Sequence, residues 1–67
     1  MAQISMAAAR INKQLSQEQM ADKMGISRAY YSELENGKRE IKPVHLYAFC
    51  YITGFSVDDI ILPIKST

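Results

Sequence analysis

Residues 17–36, QEQMADKMGISRAYYSELEN, decide the fold of this 67-residue chain. Two runs with helical spacing meet at Gly25. The first opens behind Ser16, and Ser16-Gln17-Glu18-Gln19 has the form of a capping box, in which serine and third-position side chain each satisfy a backbone N–H of the other. Gly25 suits the left-handed residue that ends such a helix. Ser27 can cap the second run, and Asn36-Gly37 breaks it after Glu35. Two short helices crossing steeply leave room only for a small side chain, and Ala21 supplies one. Ile26, Tyr31 and Leu34 then point back toward Met20 and Met24. Helix, tight turn and helix at this spacing predict a helix-turn-helix.

Outward from this pair the helical periodicity continues. A first helix is expected over residues 3–13, with Ile4, Ala8 and Ile11 on one face and Leu15 just beyond. Pro43 suits the first turn of a fourth helix that stops at Gly54. Its core stripe is Leu46, Phe49, Cys50 and Thr53, at i, i+3, i+4 and i+7. Ser56 is expected to cap a short fifth helix over 57–62, closed by Pro63. No segment alternates with period two. The expected class is all-α, with five helices in a single domain over 1–67.

Composition narrows the function. With 48% hydrophobic and 22% charged residues the chain reads as globular. Cys50 is the single cysteine, so no internal disulfide can form and a reducing, cytoplasmic setting is expected. The N-terminus has no signal-peptide pattern, and no apolar run is long enough to span a bilayer. The formal net charge is +1, which neither demands nor forbids a nucleic-acid partner. Its distribution is more telling. Residues 10–42 hold seven Lys/Arg against five acids, so any positive face is built by the middle of the chain.

An enzyme needs convergent titratable groups. Here there is one histidine, His45, and one cysteine, which cannot make a metal cluster. Cys50 on an apolar helix face reads as core. His45, in the first turn of the fourth helix, reads as solvated. Asp58-Asp59 suits a helix N-terminus electrostatically. No catalytic residue, metal or cofactor is expected.

The segment LSQEQMADKMGISRAYYSELENGKR resembles the Cro/CI-type (XRE-like) helix-turn-helix of phage repressors and bacterial regulators. The likeness rests on Leu15-Ser16-Gln17-Glu18, Ala21, Gly25-Ile26-Ser27-Arg28 and Glu35-Asn36-Gly37-Lys38. It extends upstream to Arg10 and downstream through Thr53-Gly54-Phe55-Ser56-Val57-Asp58-Asp59-Ile60. The resemblance implies a five-helix domain that docks its third helix in the major groove, commonly as a homodimer on a palindromic operator. It also implies an ion pair between Arg10 and Glu35 that fixes the first helix against the third. At Thr53 the family would lead one to expect leucine, so packing there is expected to be looser or filled by Phe55.

Turning the third helix by 100° per residue puts Arg28, Ala29, Ser32, Glu33 and Asn36 on one arc. Tyr31 and Leu34 fall opposite, and Tyr30 lies at the border. Tyr31 is then buried and needs a partner for its hydroxyl. Arg28, in the first turn, can fork onto guanine O6 and N7; Ala29 suits a thymine methyl, and Ser32 can donate or accept. Glu33 departs from the basic or amide residue the family often has there. It either accepts from cytosine N4 or pairs with a neighbouring cation and only orients it. Tyr30 either packs on a neighbour in the second helix or reaches a phosphate. Gln17 and Ser27, at helix N-termini, suit phosphate oxygens, and Asn36, Lys38, Arg39 and Lys42 would contact the backbone and position the protein. Lys13 is a weaker candidate.

Tyr47 and Tyr51, four apart beside the core stripe, are expected to form an apolar patch for a second subunit together with Ile61, Leu62, Pro63 and Ile64. The expected function is that of a sequence-specific double-stranded DNA-binding regulator, a repressor acting as a homodimer on a palindromic operator without an effector domain. The alternative is an antitoxin-like or modulator protein whose main role is to bind another protein.

Overall fold

The computed structural model describes residues 3–63. Four α-helices make up most of it: α1 (Met6–Asn12), α2 (Gln17–Met24), α3 (Arg28–Glu35) and α4 (Pro43–Thr53). A 3₁₀ turn, Val57–Asp59, follows, and two short strands, β1 (Ile4–Ser5) and β2 (Ile60–Ile61), pair in parallel with Ile4 opposite Ile60. The fold is mostly helical. Among the described residues no helix is long and apolar enough to cross a membrane.

Local chemistry explains each helix boundary. Ser16 and Gln19 close the full capping box: the Gln19 N–H donates to Ser16 Oγ at 3.0 Å, and the Ser16 N–H donates to Gln19 Oε1 at 2.9 Å. Ser27 Oγ accepts from the Tyr30 N–H at 3.1 Å and starts α3. Pro43 opens α4 without a side-chain cap. Between α2 and α3, Gly25 adopts φ +74° and ψ 28°. The Ile26 N–H then reaches back to the Ala21 carbonyl at 3.0 Å. This turn closes the orphan carbonyls of α2 while redirecting the chain.

The core sits where the helices meet. Met20 and Ala21 from α2, Tyr31 and Leu34 from α3, and Phe49 from α4 are buried, with Met6 and Ala9 beneath them. Tyr31 and Phe49 stack with ring centroids 6.4 Å apart. Thr53 is buried, and its hydroxyl donates to the Phe49 carbonyl at 2.9 Å, while Phe55 packs half-buried against the core. Bonding within its own helix lets a polar side chain stand in an apolar core.

Two helix expectations require correction. The first helix begins at Met6, not residue 3, because Ser5 is its cap, with Oγ accepting from the Ala8 N–H at 3.1 Å. Its buried residues are Met6 and Ala9; of the expected face, Ile4 packs half-buried against the core from the strand that precedes the helix, whereas Ala8 is exposed and Ile11 is 61% exposed. No fifth α-helix forms over 57–62. Ser56 does not cap; its hydroxyl donates to Asp59 Oδ2 at 3.0 Å. The chain then extends so that buried Ile60 pairs with Ile4. A parallel ladder needs a long crossover, which here is the helical body itself, so both ends of the described chain are tied together.

Candidate nucleic-acid interface

Beneath the outer face of α3 lies a polar cluster centred on Glu35. Arg10 grips its carboxylate with two bonds, Nε to Oε2 at 2.9 Å and Nη2 to Oε1 at 3.2 Å. The Tyr31 hydroxyl donates to Oε2 at 2.6 Å and the Gln17 amide to Oε1 at 3.0 Å. Arg10 Nη1 also donates to the Leu15 carbonyl at 2.8 Å. The side chains of Arg10 and Glu35 are only 13% and 6% exposed, so the pair is shielded from water and salt. Burial pushes the Glu35 carboxyl up, but the bonds from Arg10, Tyr31 and Gln17 outweigh it and hold the group below its ordinary value. Burial first, and then the bond to Glu35, drives the Tyr31 phenol far above the usual range. The Glu35 bond likewise raises Arg10 against the opposing effect of burial. One carboxylate thus joins α1, the start of α2 and both ends of the Tyr31–Glu35 turn.

This cluster revises the reading of Gln17. One N–H of its amide is turned inward to Glu35. Its backbone N–H and that of Glu18 stand in the first turn of α2, where helical geometry provides no acceptor, whereas the Gln19 N–H is taken by Ser16. Arg10, Ser16, Gln17, Glu18 and Arg28 line one shallow depression. The N-terminus of α2 and the first turn of α3 therefore open onto the same space.

On the outer arc of α3, Arg28 and Ala29 are exposed and Ser32 and Glu33 half-buried. Arg28 takes part in neither ion pair found among the described residues. The Asn36 amide donates to Ser32 Oγ at 3.3 Å, and Asn36 ends the helix. Ser27 Oγ is occupied as the α3 cap. Lys38 and Lys42 are exposed in the connection to α4.

Glu33 and Arg39 are joined. Arg39 Nε donates to Glu33 Oε1 at 2.9 Å, and the guanidinium carbon lies 4.8 Å from the centroid of the Tyr30 ring. Tyr30 meets His45 edge-on, with ring centroids 5.5 Å apart. Tyr30 therefore reaches the start of α4 while also packing against the core cluster to which Met20 and Ala21 of the second helix belong. His45 is half-buried, not fully solvated: its Nδ1 is buried without a hydrogen-bond partner among the described residues. Sequence spacing alone offered no signal for this stack, because it forms across the turn that separates α3 from α4.

The remaining candidates lie apart from this face in character. Tyr47 and Tyr51 are exposed on α4, and Val44 joins them at i, i+3, i+7. Ile61 and Leu62 are also exposed. Ile64 lies outside the described residues. Cys50 is buried in the core, and burial raises its thiol pKa.

The comparison with known proteins turns on this arrangement. A family model described as helix-turn-helix matches residues 6–60. The chain belongs to the XRE-like helix-turn-helix family. Family and fold are those of DNA-binding transcriptional regulators. Among solved structures, one of the clp gene regulator ClgR from Corynebacterium glutamicum is 31% identical, with a TM-score of 0.76. The match covers 81% of this chain and 57% of that one, so the XRE-like chain spans less than two thirds of that protein. A second ClgR structure is again 31% identical with a TM-score of 0.74, covering 81% of this chain and 70% of that one. No curated protein matches. In this XRE-like chain, then, α2 and α3 form the helix-turn-helix and α3 carries its open polar face.

Proposed function

We propose that the chain is a sequence-specific reader of double-stranded DNA that represses transcription as a cytoplasmic homodimer on a palindromic operator. The observation that carries this reading is the uncommitted Arg28 at the first turn of α3, beside the open N-terminus of α2. Arg28 forks onto a guanine, Ala29 meets a thymine methyl and Ser32 bonds a neighbouring base edge. The Gln17 and Glu18 N–H groups take a phosphate oxygen, favoured by the positive end of the α2 dipole. Lys38, Arg39 and Lys42 contact the backbone on the other side, where they set position and not sequence. Repression follows if the bound dimer excludes polymerase.

The second subunit docks on the outer stripe of α4, Val44, Tyr47 and Tyr51, with Ile61 and Leu62 nearby in kind. Two half-sites multiply the contacts of so small a domain. The exposed stripe together with a net charge of only +1 also favours a second reading, a module whose main partner is another protein.

Selection of bound sites from random duplex DNA separates the two. A palindrome with half-sites about one helical turn apart is the expected result. Enrichment of no sequence, with a stable hetero-complex recovered instead, favours the protein-binding module.

A further inference from the structure

Glu33 stands on the arc of α3 that faces bases in the proposed complex, where a carboxylate is repelled by phosphates. In the structure it is not free. Its Oε1 accepts from Arg39 Nε at 2.9 Å, and Arg39 in turn lies 4.8 Å over the Tyr30 ring. Tyr30 is braced edge-on by His45 at the start of α4. The side chains of Arg39 and Glu33 are 51% and 43% exposed, and an ion pair so open to water contributes little to folding. Its effect must therefore be sought outside stability.

What the pair does is hold Arg39. A free arginine samples many rotamers, and fixing it on DNA costs conformational entropy. Here Nε is tied to Glu33 and the guanidinium carbon lies over the Tyr30 ring, while among the described residues neither Nη group makes a hydrogen bond to another side chain. That is a fork already set for a phosphate. We infer that Glu33 is a positioning residue for Arg39: it acts on DNA through the arginine and touches no base itself. The inference rests on the DNA-binding reading and replaces direct base contact by Glu33 with an intramolecular role.

The test is a double-mutant cycle with Glu33→Gln and Arg39→Ala, each measured on the selected operator by fluorescence anisotropy, with the melting temperature as control. In the wild-type background Glu33→Gln is expected to weaken operator binding about threefold, the reach of an exposed ion pair. In the Arg39→Ala background it is expected to cost nothing, or to strengthen binding by removing a negative charge near phosphates. The base preferred at each operator position should be unchanged, and the melting temperature should barely move. An equal loss in both backgrounds, no loss in the wild type, or a changed base preference overturns the inference while leaving DNA recognition standing. A wild-type protein that enriches no sequence overturns both.

Discussion

Glu35 accepts four hydrogen bonds in a space nearly closed to water. Removing its charge strands the Arg10 guanidinium beside it, and breaking a buried pair in this way costs about 3–5 kcal/mol. Glu35→Gln should therefore lower stability by about that amount in urea unfolding at pH 7; an unchanged midpoint contradicts the account. The pH dependence has a definite sign. Because the folded state holds this carboxyl below its ordinary value, the stabilisation is fully present above the ordinary carboxylate pKa of about 4.3. It is lost as pH falls through the lower folded value. The stability gap between wild type and Glu35→Gln should accordingly narrow on acidification below about pH 4. Tyr31→Phe removes only the bond at 2.6 Å and should cost less, about 1.5–3 kcal/mol, as expected for a hydrogen bond to a charged group.

At the scale of the elements, one backbone conformation serves two junctions with different residues. Gly25 at φ +74° links α2 to α3, and Gln14 at φ 59° follows α1. A Cβ on Gly25 would meet nothing within 4 Å, so Gly25→Ala should cost only the left-handed backbone penalty, about 1–2 kcal/mol. Gln14→Gly should relieve the same penalty, offset in part by the greater freedom of glycine when unfolded, for a net gain of about 0.5 kcal/mol. Thermal unfolding reads both, and shifts of the same sign would contradict this reading. The junctions around α2 and α3 were legible because their signals are local: a capping box, a cap serine and a turn glycine. The Ser5 cap is not legible locally because Ala8, three residues on, is not the Glu or Gln of a capping box. Ile60 reads locally as a helix residue and becomes a strand only because Ile4 lies across the molecule. The Glu33–Arg39 pair depends on the fold-back at Gly37, where the Lys38 N–H donates to the Glu33 carbonyl at 2.9 Å. The residue types were visible beforehand; the pairing required the turn.

Across the whole molecule, the groups that fix the helices are segregated from the open side chains proposed to bind. Groups that fix the helices are buried around Glu35 and the Tyr31–Phe49 stack, whereas Arg28 and the α4 stripe are open. Tyr51, 90% exposed, can thus be changed without disturbing the core. Tyr47→Asp with Tyr51→Asp should leave the fold intact by circular dichroism but shift sedimentation toward the 7.6 kDa species and weaken operator binding, since each half-site would then be held alone. Unchanged sedimentation would place the dimer contact elsewhere. The central claim, that the first turn of α3 reads sequence, is tested most directly by pairing a protein change with a base change. Wild type and Arg28→Ala are compared on the selected operator and on one whose guanine opposite Arg28 is replaced. The account predicts that Arg28→Ala loses about 1–3 kcal/mol on the operator and nothing further on the altered site; an equal loss on both would mean that Arg28 holds the backbone and reads no base.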